Sequence, residues 1–169
     1  EEALVTLALR DFQGKEAKDA ALRRPFRSPH HSASAAALIG GGSDPRPGEA
    51  SLAHGGVLFL DELPEFSRHC LEVLREPMES GLVTISRARH KLSYPASFQL
   101  IAAMNPCPCG YYGDPQRPCS CPDKSIRAYL NRVSGPLLDR IDLQVAVEGV
   151  DPMSLRAQRE GEPSSVVRE

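Results

Sequence analysis

The sequence predicts an α/β protein with a parallel sheet core, and three observations carry that prediction. Val57-Leu58-Phe59-Leu60 is a short apolar run framed by Gly55-Gly56 and Leu63-Pro64, which reads as a strand buried on both faces. Phe98 to Met104 is a second strongly apolar run of strand length. Helical segments alternate with these runs, as a sheet covered by helices requires. With 169 residues the chain can bury one real core.

Apolar residues at Leu4, Leu7 and Ala8 predict a short amphipathic helix over Glu1 to Leu9, followed by a polar stretch to Arg24. Pro25 to His31 is too proline-rich for a helix and reads as extended. Ser34 to Ile39 predicts a short helix closed by Gly40-Gly41-Gly42, and Glu49 to His54 a second one leading into the strand at Val57. Ser67 is a good N-cap for a helix with Cys70, Leu71, Leu74 and Met78 on one face. Gly81 lies just past its end, and Pro77 should bend its last turn. Leu82 to Ser86 and Lys91 to Tyr94 form a hairpin, an insertion before the strand at Phe98. Asp123 to Arg132 and Pro136 to Arg140 are helical, and Ile141 to Val147 alternates like a last strand.

The composition, 41% hydrophobic and 25% charged, is that of an ordinary soluble domain. A formal charge of −2 excludes a global attraction to nucleic acid, so any such contact must come from a local patch. There is no secretory signal, and no apolar run approaches the roughly 18 residues that span a bilayer. A cytoplasmic protein without a membrane partner is the expectation.

Asp61 and Glu62 follow the first buried run and fall at its carboxyl end, where open α/β sheets place their ligands. This is the layout of a Walker B strand, in which one acid holds the magnesium of a nucleotide and the next polarises the attacking water. A core strand with two solvated acids has the same pattern. Asn105 ends the second run and could orient that water, offering a donor and an acceptor without charge. It also suits a turn before Pro106. Arg140 starts the last predicted strand, either as a surface charge or as a finger reaching a neighbouring subunit's nucleotide. The phosphate-binding pattern G-x-x-x-x-G-K-[ST] occurs nowhere in the chain.

Four of the five cysteines form two C-x-C pairs, Cys107 with Cys109 and Cys119 with Cys121, with nine residues between the pairs. Four thiolates on one glycine-containing loop match a structural zinc site, with free or redox-active thiols as the alternative. Cys70 belongs to the core face of its helix. Arg87, Arg89, His90 and Lys91 make the best local basic patch, a solvated hairpin tip or a contact to a phosphate backbone. His30 and His31 are expected to point apart, which makes them poor joint ligands. Contact with DNA or nucleotide through the Arg27 to His31 loop is the better use for them.

Several segments together resemble the ComM (YifB) subfamily of magnesium-chelatase-like AAA+ ATPases. They are Arg24 to His31, Gly40 to Ser43, Pro45 to Glu49, His54 to Phe66, Ala103 to Gly110 and Ser134 to Leu143. The resemblance covers roughly Arg24 to Val147. It implies a partial AAA+ (P-loop NTPase-like) core with an inserted β-hairpin and a four-cysteine zinc loop. Asp61 and Glu62 become the Walker B pair, Asn105 sensor 1 and Arg140 the arginine finger. Ala36 to Glu49 becomes the insert of the second helix, and Leu82 to Tyr94 the pre-sensor hairpin. In related ring helicases these two elements line the pore. ATP with magnesium, a hexameric ring of identical subunits and DNA are the implied cofactor and partners, and branch migration during natural transformation the implied activity.

The implied organisation is a partial N-terminal helix and linker at 1–24, the AAA+ core at 25–147 and a polar tail at 148–169. The Walker A loop would lie before Glu1 and the helical lid with sensor 2 beyond Val147. On this expectation the chain is a fragment that binds ATP weakly or not at all and does not hydrolyse it. Two alternatives remain open: a chelatase-type ATPase driving metal insertion into a tetrapyrrole, and a zinc-stabilised interaction module without turnover.

Overall fold

The computed structural model describes residues 2–11, 24–41, 45–87, 90–147, 149 and 161–168. Its centre is a parallel three-stranded sheet in the order β1 (Phe26–Arg27), β4 (Val57–Leu60), β7 (Gln99–Ala102). Phe26 pairs with Val57 on one side of β4, and Val57 through Leu60 pair with Gln99 through Ala102 on the other. Gly56 immediately precedes β4 for a steric reason, since a Cβ there would collide with the Pro25 carbonyl.

The alternation of a strand decides which β4 side chains are buried. Leu58 and Leu60 point into the core and are fully buried with Leu38, Leu63, Leu71, Leu74 and Leu137. Each such side chain contributes roughly 1.5–3 kcal/mol of burial. Val57 and Phe59 lie on the opposite face and are only half-buried. There Phe26 stacks on Phe59 at 6.0 Å yet remains 64% exposed, and Ile101 is exposed as well. The strand expected to be buried on both faces is thus covered by helices on one.

Helix α1 (Glu2–Asp11) is present as expected, and the polar stretch after it lies outside the described residues at 12–23. Ser34 caps α2 (Ala35–Ile39), its hydroxyl accepting the Ala37 N–H at 3.1 Å. Gly40–Gly41 (β2) then pairs antiparallel with Arg46–Pro47 (β3) before α3 (Glu49–Leu52). Beyond β4 a 3-10 turn (Leu63–Glu65) leads to α4 (Arg68–Val73), capped by Ser67 through the Cys70 N–H at 3.2 Å. The bend assigned to Pro77 falls one turn earlier: Pro77 has no N–H for the Val73 carbonyl, so the helix breaks at Leu74 and resumes as α5 (Arg75–Ser80). Gly81 follows in the left-handed conformation, φ 68°.

The hairpin is formed by β5 (Leu82–Arg87) and β6 (His90–Pro95), with Arg87 opposite His90 at the end of the ladder. Helices α6 (Asp123–Leu130) and α7 (Gly135–Leu138) follow the cysteine loop. The last predicted strand does not form. Residues 141–147 carry no strand, and Leu143, Val145 and Val147 are 78%, 71% and 89% exposed. Their alternation is genuine, but a strand needs a neighbour for its backbone groups, and none of the described strands lies beside it.

Candidate nucleotide site and cysteine cluster

Because β1, β4 and β7 run in one direction, their carboxyl ends share one rim of the sheet. Asp61 and Glu62 arrive from β4, Asn105 from β7, and His30 and His31 from β1, at the edge where such sheets bind ligands. Both acids and Asn105 are exposed.

The two acids are fixed by the turn that ends β4. Asp61 Oδ1 accepts the Glu62 N–H at 2.9 Å. Glu62 sits at φ 52° and ψ 47°, the one non-glycine residue with positive φ among the described residues. A side chain in this region costs about 1–2 kcal/mol. The surroundings enforce it: the Leu63 N–H donates to the Ala103 carbonyl at 3.0 Å, and the Glu65 N–H to that of Glu62 at 2.7 Å.

His31 Nδ1 lies 2.9 Å from Glu62 Oε2, a partner that the sequence reading missed. The two adjacent histidines also do not point apart. The Ala33 N–H donates to the His30 carbonyl at 2.9 Å, and the resulting turn brings the rings to 4.0 Å. His30 Nδ1 is 2.8 Å from the Ser32 hydroxyl, so the two rings have separate partners.

Asn105 is accompanied by a second residue that sequence reasoning missed, Tyr129 on α6. This ring is 6% exposed. Burial pushes its hydroxyl up, helped by the negative charge of Glu65, while a backbone hydrogen bond from Asn105 opposes the shift. An aromatic at i+3 from Ile126 reads simply as helix core, so nothing in the pattern marks this contact.

Arg140 is not gathered into the rim. Its guanidinium pairs with Glu79 on α5 and donates to the Pro136 carbonyl, at 25% side-chain exposure. Lys91 is exposed on β6. Arg87 and His90 are described by their backbone pairing, and Arg89 lies outside the described residues.

Cys107, Cys109, Cys119 and Cys121 place all four sulfurs within 4.8 Å of one another, with no disulfide among them. The Sγ separations are 3.4 Å for Cys107–Cys109, 3.7 Å for Cys107–Cys119 and 3.6 Å for Cys109–Cys119. Tetrahedral bonds of about 2.3 Å to zinc require sulfurs about 3.8 Å apart, so this donor set fits such an ion. Gly110 and Gly113, at φ 84° and 82°, turn the loop back on itself. Backbone N–H groups of Tyr111 and Ser120 bring the Cys109 thiol down to about 6. The Cys121 N–H favours the Cys119 thiolate, but burial and the thiols of Cys109 and Cys107 push Cys119 up to about 12. Cys70, as expected, is a core residue, 3% exposed, with its thiol directed at the Ala33 carbonyl.

Comparison with known proteins agrees with this layout. The family model "Magnesium chelatase, subunit ChlI" matches residues 1–155. The chain is 52% identical over 171 aligned residues to protein YifB of Escherichia coli K12, covering all of this chain and 33% of that protein. It is 55% identical over 148 residues to the competence protein ComM of Haemophilus influenzae, covering 87% of this chain and 29% of that protein. A shorter match, 37% over 60 residues, links it to the chloroplastic magnesium-chelatase subunit ChlI of Oryza sativa. The chain therefore spans about a third of the length of the curated relatives it matches along most of its length. Among the described residues no helix is long and apolar enough to cross a membrane. The parallel sheet, the acids at its rim and these matches lead to one assignment: the chain belongs to the magnesium-chelatase (subunit ChlI) family of AAA+-type ATPases, in its ComM-like branch.

Proposed function

We propose that the full-length protein is a ring-forming ATP hydrolase that couples turnover to DNA remodelling or branch migration. The observation that supports this best is the convergence of Asp61, Glu62 and Asn105 at the carboxyl rim of one parallel sheet. Asp61 holds the magnesium ion of the bound nucleotide, which neutralises charge on the phosphates. Glu62 draws a proton of the attacking water, and Asn105 orients that water through its amide. Arg140 of a neighbouring subunit offsets the charge that develops on the transferred phosphoryl group. The phosphate-binding loop comes from another part of the full-length protein.

Cys107, Cys109, Cys119 and Cys121 hold a structural zinc ion, which ties the loop after Asn105 to the start of α6. The basic hairpin with Arg87, Arg89, His90 and Lys91 contacts the DNA backbone. The name of the Haemophilus relative, a competence protein, supports DNA as the partner. The rice relative favours a second reading, in which the same motor drives metal insertion.

ATP turnover by the full-length protein with and without DNA tests the proposal. Stimulation by DNA that Glu62→Gln abolishes is the expected result. Turnover indifferent to DNA favours the metal-insertion reading, and turnover that survives Glu62→Gln refutes the assignment of the base.

A further inference from the structure

We infer that Arg132 is a positioning residue for the catalytic rim, acting through the 3-10 turn (Leu63–Glu65) that Glu62 opens. The inference rests on the reading of Glu62 as the catalytic base. Three features of the geometry carry it.

The first is where the guanidinium goes. Arg132 Nη1 donates to the Pro64 carbonyl at 3.2 Å and to Glu65 Oε2 at 2.9 Å. Both acceptors belong to the turn whose N-cap is Glu62. Glu65 is also held by its backbone, its N–H donating to the Glu62 carbonyl at 2.7 Å. A path of hydrogen bonds thus runs from Arg132 through Glu65 to the left-handed backbone of Glu62.

The second is how Arg132 itself is anchored. It lies just past the end of α6, and its N–H donates to the Tyr129 carbonyl at 3.2 Å. Val133, the next residue, is buried in the main core, and Ile126 and Tyr129 are buried before it. The Tyr129 hydroxyl in turn meets the Asn105 backbone. The end of α6 therefore touches both halves of the rim, Tyr129 beyond β7 and Arg132 at the turn after β4.

The third is what lies between the two elements. Phe66, Ser67 and Arg68 on one side and Ala128 and Asn131 on the other line an open cleft. The guanidinium is the strut across it. Its pair with Glu65 is 53% and 42% exposed, a setting in which an ion pair adds little to stability. What one donor on two acceptors of a short turn does fix is the direction of that turn, and with it the base.

The test compares Arg132→Ala, Arg132→Met, Arg132→Lys and Glu62→Gln in the full-length protein, measuring kcat and KM for ATP and the melting temperature. Arg132→Ala is expected to lower kcat by about tenfold or more, the scale on which misplaced groups cost rate, with KM and melting little changed. Arg132→Met, which keeps the stem and loses the donors, should be equally slow, and it decides alone should the alanine variant melt early. A single nitrogen serves both acceptors, so the ammonium of Arg132→Lys should recover much of the loss. Mixing Arg132→Ala with Glu62→Gln subunits should restore nothing, because both defects lie on the same side of the shared site. An unchanged or raised kcat in the alanine and methionine variants overturns the inference. So does a lysine variant that melts normally but is as slow as alanine, or a loss expressed in KM alone. Recovery of rate on mixing also overturns it, since Arg132 would then serve the neighbour's nucleotide. A fully active Glu62→Gln overturns the reading of Glu62 and this inference with it. An inactive Glu62→Gln beside an unimpaired Arg132→Met overturns this inference alone.

Discussion

Arg27 grips Glu49 with two parallel hydrogen bonds, Nε to Oε2 at 2.6 Å and Nη2 to Oε1 at 2.8 Å. The pair ties the edge strand β1 to the first turn of α3, and both side chains are less than a third exposed. The hydrogen bond to Glu49 keeps the guanidinium above its ordinary pKa, so it is charged at every working pH. Glu49→Ala should cost about 1.5–3 kcal/mol, the range for hydrogen bonds to charged groups, and Arg27→Lys should cost part of that by losing the fork. Denaturant titration of the chain and its variants measures both.

Glu62 predicts an opposition between stability and use. Replacing it with glycine removes the cost of a side chain at φ 52°, about 1–2 kcal/mol, and adds about 0.5–1 kcal/mol of chain entropy to the unfolded state. Glu62→Gly should therefore be more stable by up to about 1.5 kcal/mol while abolishing turnover in the full-length protein. Paired melts and turnover assays read the two effects.

The cysteine cluster predicts a metal content of about one zinc per chain in protein purified under reducing conditions. Cys107→Ser should lose it, because Cys107 is the buried member of the set. A strong chelator should speed amide exchange over 107–121 while leaving Val57–Leu60 protected. Metal analysis and hydrogen exchange check the two halves.

Arg140 is engaged with Glu79 within its own chain. If it serves a neighbour's nucleotide, Arg140→Ala should slow turnover in the full-length protein by about 10³-fold or more with little change in nucleotide affinity. Mixing it with Glu62→Gln subunits should then restore part of the rate, since each defect lies on a different side of the shared site. Glu79→Ala should not reproduce the loss. Steady-state rates on mixed assemblies settle the point.

The hairpin makes a salt-dependent prediction. Each phosphate contact removed lowers the slope of log affinity against log salt by about one. Reversing the charge of Arg87 and Arg89 should therefore weaken DNA binding by the full-length protein and flatten the slope by about two. Fluorescence anisotropy over a salt series gives both quantities.

Much of this was legible in the sequence because it depends on local chemistry. An apolar tetrapeptide between glycines and acids announces β4, and Ser34 and Ser67 announce the helices they cap. Cysteines spaced two apart on a glycine-rich loop announce their own gathering. What failed or was missed depends on partners far along the chain. Residues 141–147 alternate like a strand but find no edge to join. Tyr129 looks like any core aromatic until the Asn105 backbone meets it. His31 meets Glu62 through the pairing of β1 with β4, which no local pattern encodes.

That pairing has a consequence for how the chain tolerates change. His31 and Glu62 reach one rim because β1 lies beside β4, not because of the length of chain joining them. Residues inserted in the connection between β2 and β3 would lengthen it without altering the pairing of β1 with β4. Each doubling of such a loop costs only about 0.6 kcal/mol. Shifting Phe26-Arg27 against Val57-Leu58 by one residue would instead turn Phe26 away from Phe59 and Arg27 away from Glu49. The chain can be generous with the length of this connection while allowing no slippage between its two strands.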